Sequence, residues 1–282
     1  MNAQSLPADL ASRPLSQMSD PTGVPQLDLV LGGGLPRGSL IAVFGPPGSG
    51  KTTLVCQIAF AAASRGQHVL LLTALAETTH KLVQHLQGFR FYDPNLLGHN
   101  LQVFSMQQFL EQDVNTAIQE IVQAVSREQA RLVIIDGFQV LRDLSASTAA
   151  TRQQLYILGT RLSLQGITTL VTSEAAPRDP SLFPEMTTAD GLIGLYYTLK
   201  GVRPLQSMEI VKMRGRVPLL GRHGLLLNEE GVQVFPRLEA IVRPATFEGW
   251  PTTPGGMIPQ VRVPFELAEL DNLLGGGLTR QT

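Results

Sequence analysis

Gly45 to Thr52 read GPPGSGKT, a glycine-rich stretch that closes on a lysine and a threonine. The spacing G-x-x-x-x-G-K-[ST] is the one a bound triphosphate requires. Glycines let successive backbone N–H groups converge on phosphate oxygens, and a helix that follows turns its positive end toward them. Gly45, Pro46, Pro47, Gly48, Ser49 and Gly50 are the expected cradle, with Thr53 just behind it. Lys51 would serve the β- and γ-phosphates as a point charge, and Thr52 would offer Mg2+ a hydroxyl ligand. A nucleoside triphosphate with Mg2+ is therefore the expected ligand. A bare Gly-rich turn needs no particular neighbours, whereas this stretch lies between an apolar run, SLIAVFG, and a helical one, KTTLVCQIAFAAASRG, as the motif demands.

Such a site also needs a carboxylate on the magnesium side, at the end of a neighbouring strand. RLVIID supplies Asp136 after an apolar run, for direct or water-mediated coordination. ITTLVTSE ends in hydroxyls, so Thr172 or Ser173 is a candidate γ-phosphate sensor, and Glu174 stands next to them. Lysine occurs only at 51, 81, 200 and 212. The last of these opens KMRG, where Lys212 and Arg214 stand two apart and so project from one face of a strand. Both can address one target; two solvated charges guarding an edge strand are the plainer alternative.

The elements that must position these residues follow from the apolar pattern. SLIAVFG, QHVLLLTAL, LQVFS, RLVIID and ITTLVTSE are continuous rather than alternating, which suits a parallel sheet covered on both faces. Helical stretches over 51–66, 77–89, 107–128 and 148–166 separate them, giving βαβ units and an α/β domain. Past residue 190 come GLIGLYYTL, QSMEIVKM, GLLLN and GVQVF with only turns between them, an antiparallel extension of the same sheet.

Residues 1–22, rich in Ser, Pro and Asp, are expected to be a flexible arm. The α/β domain takes 23–237, and 238–264, with repeated Pro and a Gly pair, is expected to be a linker. Residues 265–282 close the chain, and 270–282 match 27–39 at an offset of 243, with Leu, Asp, Leu, three Gly, Leu and Arg identical. A period of that length is a domain rather than a solenoid repeat. The expectation is the truncated start of a second copy.

Bulk properties set the exclusions. Net charge is −1 from 22 basic and 23 acidic residues, so no overall field draws nucleic acid or an anionic membrane. The lone Cys56 rules out an intramolecular disulfide and favours the cytoplasm. The first residues lack the basic start and apolar core of a signal peptide, and no apolar run reaches the ~20 residues that span a bilayer. The five histidines have no metal-ligand spacing. The stretch EAAPRDPSLFPEMTTAD carries four acids against one Arg, with Phe183 its lone aromatic, a poor surface for single-stranded DNA.

The block LDLVLGGGLPRGSLIAVFGPPGSGKTTL, the AET after the second strand, LVTSE and EIVKMRG together resemble the KaiC family of RecA-fold ATPases over residues 23 to about 237. The resemblance implies a RecA-like domain, often in tandem, assembling into hexameric rings with ATP–Mg2+ bound between subunits. It also implies that Lys212 and Arg214 reach the γ-phosphate of a neighbouring subunit. The family carries two adjacent glutamates after the second strand, the first activating water; here Ala76 stands in that place and Glu77 in the second. Glu77 is then the catalytic candidate, with Glu174 as the other carboxylate near a strand end. The expected activity is slow ATP hydrolysis coupled to ring assembly or signalling. Alternatives are a nucleotide-gated assembly with little hydrolysis and a recombinase-like DNA-dependent ATPase.

Overall fold

The computed structural model describes residues 19–73, 79–106, 114–143, 145, 147–174, 183–241, 262–263 and 278–279. The chain opens with β1 (Ser19–Asp20), α1 (Leu27–Leu31) and β2 (Leu35–Pro36). Strand and helix then alternate through β3 (Leu40–Phe44), α2 (Lys51–Ser64), β4 (Val69–Thr73), α3 (Thr79–Leu86), β5 (Leu101–Ser105), α4 (Val114–Arg127) and β6 (Leu132–Asp136). Next come α5 (Gln139–Asp143), α6 (Thr148–Leu164), β7 (Thr168–Ser173) and α7 (Pro184–Thr188). Four strands joined by turns follow: β8 (Gly191–Lys200), β9 (Arg203–Met213), β10 (Arg222–Asn228) and β11 (Gly231–Phe235), closed by α8 (Leu238–Ile241).

β3 to β11 form one nine-stranded sheet in the order β11-β10-β9-β8-β3-β7-β6-β4-β5. From β8 to β5 every neighbouring pair is parallel, and from β8 to β11 every pair is antiparallel. This is the α/β architecture that the apolar pattern implies, with the antiparallel extension on one edge. β3, β4, β6 and β7 are buried at every residue. A strand covered on both faces has no solvent side to alternate with. One face packs Ile41, Val43, Leu71 and Ile134 against α1 and α2; the other packs Ala42, Phe44, Leu72 and Ile135 against α4, α6 and α7.

Helix α2 is buried nearly all round rather than along one stripe. Its Gln57 is tied to β11: Oε1 accepts from the Val232 N–H at 2.7 Å, and Nε2 donates to the Val232 carbonyl at 3.3 Å. Burial pushes the Cys56 thiol on this helix well up, which makes it a small apolar filler rather than a reactive group. No helix among the described residues is long and apolar enough to cross a membrane.

Four of the described helices escaped the apolar pattern: α1, α5 and α7 are five residues each and α8 is four, too short to repeat a 3.6-residue period. Ser19 and Asp20, in the stretch read as an arm, pair as β1 with Pro36 and Leu35 of β2. The glycines before β2 make that contact possible. Gly34 has φ 88°, and a Cβ there would lie 2.6 Å from the Asp20 carbonyl.

The chain divides into two compact units, Met1–Val242 and Arg243–Thr282. In the second unit β12 (Arg262–Val263) pairs antiparallel with β13 (Leu278–Thr279), Arg262 opposite Thr279 and Val263 opposite Leu278. Each residue of this ribbon stands 243 positions beyond its counterpart in β1 and β2, the offset at which the sequences match. Sequence repeat and pairing register thus coincide.

Candidate nucleotide site

The glycine-rich loop leaves the sheet at the carboxyl end of β3. Gly45 donates its N–H to the Ser173 carbonyl at 3.2 Å. A Cβ at Gly45 would stand 2.3 Å from the Leu195 carbonyl and 2.9 Å from Ser49 Oγ, so the turn has room only for hydrogen. Gly50, at φ 95°, is the residue before α2, and no side chain caps that helix. Its first N–H groups are left for a ligand, the arrangement that binds phosphate. The buried Ser49 hydroxyl has no partner among the described residues. Lys51 Nζ donates to the Gly45 and Pro46 carbonyls, each at 2.9 Å. Burial lowers the pKa of this ammonium, while Glu174 and Asp136 pull it back up. A phosphate would replace two neutral acceptors with charged ones.

Thr52 and Asp136 meet across the loop and β6. Thr52 Oγ1 donates to Asp136 Oδ2 at 2.9 Å, and Thr172 Oγ1 donates to Asp136 Oδ1 at 2.6 Å. The Gly137 N–H in turn donates to Thr172 Oγ1 at 2.7 Å. Burial raises the Asp136 carboxyl above the usual carboxylate range, against the opposing pull of those two hydroxyls and of Lys51. A divalent cation would relieve a carboxylate so placed. No group of three or more His, Cys, Asp or Glu side chains among the described residues is arranged to hold a metal. That donor set fits Mg2+, which keeps several waters and binds through one or two protein oxygens plus phosphate.

These groups line a cleft of about 360 Å³, whose walls include Lys51, Thr52, Asp136, Gln139, Thr172 and Glu174. Pro47, Gly48, Gly50 and Thr53 line it as well. Of the two candidate sensors Thr172 is in the cleft and Ser173 is not. Successive residues of a strand face opposite sides, and Ser173 is fully buried, donating to Glu185 Oε1 at 2.5 Å. Arg142 of α5 also reaches Glu185 Oε1, at 3.0 Å, and its guanidinium lies 5.0 Å from the centre of the Phe183 ring. Sequence reasoning missed Gln139, Arg142 and Glu185. An Arg and a Glu 43 positions apart carry no local sign of pairing, and Gln139 sits on a helix too short to be recognised.

Lys212 and Arg214 are not brought to this cleft. Met213 pairs with Gly191 at the start of β8, whereas Phe44, just before the loop, pairs with Gly194. Beyond Met213 the chain moves further from the loop: the Arg214 N–H donates to the Asp190 carbonyl, and the Asp190 N–H to that of Leu40, the first residue of β3. Lys212 Nζ donates to the Ala189 carbonyl at 2.6 Å and Arg214 pairs with Asp190 at 3.2 Å, so both cations gather at the segment after α7. Burial, and then the Arg214 charge, lower the Lys212 pKa against the pull of Asp190. Ala76 and Glu77 lie outside the described residues. Thr73, the last described residue before them, pairs with Asp136.

A KaiC-like protein from Pyrococcus horikoshii OT3 shares this fold, with a TM-score of 0.67 and 22% identity over 77% of this chain and 99% of its own. The circadian clock oscillator protein KaiC of Rippkaea orientalis is 24% identical over 227 residues, 76% of this chain and 43% of the relative. That of Parathermosynechococcus lividus is 22% identical over 275 residues, 93% of this chain and 48% of the relative. The chain spans about half the length of the curated relatives it matches. A family model described as "ATPase: KaiC" matches residues 20–239, a span that holds β2, the phosphate loop, Asp136 and the Lys212–Arg214 pair. The chain belongs to the KaiC family of RecA-fold ATPases.

Proposed function

We propose that this chain binds ATP–Mg2+ in the cleft and hydrolyses it slowly, within a ring of identical subunits. The observation that carries the reading is the convergence of Lys51, Thr52 and Asp136, from two separated stretches of sequence, on one cleft at the carboxyl ends of β3 and β6. Thr52 and Asp136 would hold Mg2+, which when bound neutralises charge on the phosphates. Lys51 and the loop N–H groups hold the β- and γ-phosphates, and Thr172 orients the Asp136 carboxylate. Water then attacks the γ-phosphorus in line as the bond to the β–γ bridging oxygen breaks; ADP leaves with that electron pair, and the proton of the water passes to a carboxylate. Glu77 is the base that the family pattern implies; Glu174, in the cleft wall, is the second candidate.

Lys212 and Arg214 act in this reading on the site of the next subunit. Their position toward the far end of the sheet from the loop supports a role in trans, since the chain's own phosphates lie beyond the opposite strand ends. The matching ribbons support a further proposal: a second domain built like the first begins with β12 at Arg262, three residues before the expected 265, and the connection is the part of 238–264 that lies between α8 and β12. The lone buried Cys56 fits a cytoplasmic setting.

Single-turnover phosphate release, with oligomer mass followed in the same samples, tests the proposal. Lys51→Ala and Arg214→Ala subunits are each expected to be inactive alone and to regain activity when mixed, because a mixed interface joins an intact loop to an intact Arg214. No recovery refutes the role in trans. ATP-dependent assembly without phosphate release would instead identify a nucleotide-gated scaffold, the reading that Ala76 favours.

A further inference from the structure

The cleft that the phosphate loop lines also carries two polar side chains that neither hold phosphate nor fix the magnesium pair. One is the Glu174 carboxylate and the other the Gln139 amide. Gln139 is the first residue of α5, three positions past Asp136, and lines the cleft beside Val140. Its Oε1 is shielded from solvent and accepts no hydrogen bond among the described residues. A buried carbonyl left unpaired is unfavourable, because it has given up water without gaining a donor. The terminal amide torsion is soft, so a half-turn brings this oxygen to the cleft as soon as a donor is fixed there. The donor that hydrolysis fixes there is the attacking water.

We propose that Gln139 is a positioning residue for that water, with Oε1 accepting one of its hydrogens. The inference rests on the hydrolysis reading above. The loop, Lys51 and Thr52 line the same cleft as Gln139, so a water that attacks the bound γ-phosphate enters a space that this side chain helps to enclose. The water oxygen bonds phosphorus as the bond to the bridging oxygen breaks. ADP leaves with that electron pair, and the released proton passes to a cleft carboxylate. An amide takes no proton in this step; it fixes the angle of approach. Orientation of this kind accounts for a large part of the barrier reduction in phosphoryl transfer. It also meets the need that Ala76 creates, since a carboxylate in a less direct place must share the work of holding the water.

Gln139→Ala and Gln139→Asn, compared with wild type, test the assignment through kcat, KM for ATP–Mg2+, and affinity for ADP with and without aluminium fluoride, which mimics the transferring phosphoryl group. Gln139→Ala is expected to lower kcat about 10²-fold, the usual loss for one such group. ADP affinity should stay within twofold, and the extra affinity conferred by aluminium fluoride should fall by the same factor as kcat. Gln139→Asn keeps the amide one methylene short; it should fold as wild type and lose kcat nearly as far. A raised KM with unchanged kcat, or equal losses for ADP and for its aluminium fluoride complex, refutes the positioning role while hydrolysis stands. A wild-type chain that releases no phosphate overturns the hydrolysis reading and this inference together.

Discussion

Arg142→Met would break an ion pair that joins three elements around the β7 wall of the cleft. Glu185 is fully buried, its Oε1 takes both the Arg142 guanidinium and the Ser173 hydroxyl, and its Oε2 has no partner among the described residues. Removing the cation strands a buried carboxylate. Such a break costs about 3–5 kcal/mol; the Arg142 side chain is 24% exposed, so water reaches the pair and the lower end, about 3 kcal/mol, applies. Losing the contact over Phe183 accounts for about 0.5–1 kcal/mol of that. Glu185→Gln alone keeps an acceptor for Ser173 and should cost about 1 kcal/mol, the worth of one hydrogen bond. The double variant then has no stranded charge and should lose about 2 kcal/mol, a coupling energy near 2 kcal/mol. Urea unfolding of the four chains measures this directly, and the melting midpoint of Arg142→Met should fall about 6–12 °C. Single losses that add to the double within about 0.5 kcal/mol would refute the claim that Glu185 depends on Arg142.

Gly45→Ala should abolish nucleotide binding and destabilise the fold by more than about 1 kcal/mol, because its Cβ would meet the Leu195 carbonyl at 2.3 Å; isothermal titration and urea unfolding check both. Lys51→Ala should lose ATP binding by at least about 10²-fold while melting near wild type, as the hydrogen bonds of Nζ among the described residues go to two loop carbonyls. The Asp136 carboxyl is raised in the folded chain, so its contribution to stability is fully present below the unfolded pKa and is lost as pH rises through the folded value. At pH 7 Asp136→Asn should therefore melt higher than wild type without nucleotide, and should lose the stabilisation that ATP–Mg2+ confers; thermal melts with and without the ligand, from pH 4 to 7, read both signs.

The sequence by itself determined the chemistry of the loop and the class of fold. GPPGSGKT is local in the chain: its glycines, Lys51 and Thr52 act within one turn and one helix end, so spacing alone specifies the site. Asp136 was legible for a related reason, since an apolar run must end at a sheet edge and the residue there faces the crevice. The buried strands announced a covered parallel sheet, and the offset of 243 pointed to a repeat; the pairing of 19–20 and of 262–263 into ribbons was not legible, since neither dipeptide carries a strand pattern of its own. Only the tertiary structure decided which hydroxyl enters the cleft. Thr172 and Ser173 are neighbours of one strand with opposite faces, and the packing of α7 gave Ser173 to Glu185. It also set Lys212 and Arg214 away from the chain's own loop, because β9 returns antiparallel to β8. Gln139 and the Arg142–Glu185 pair belong to five-residue helices, whose existence depends on what they pack against rather than on any period of their own.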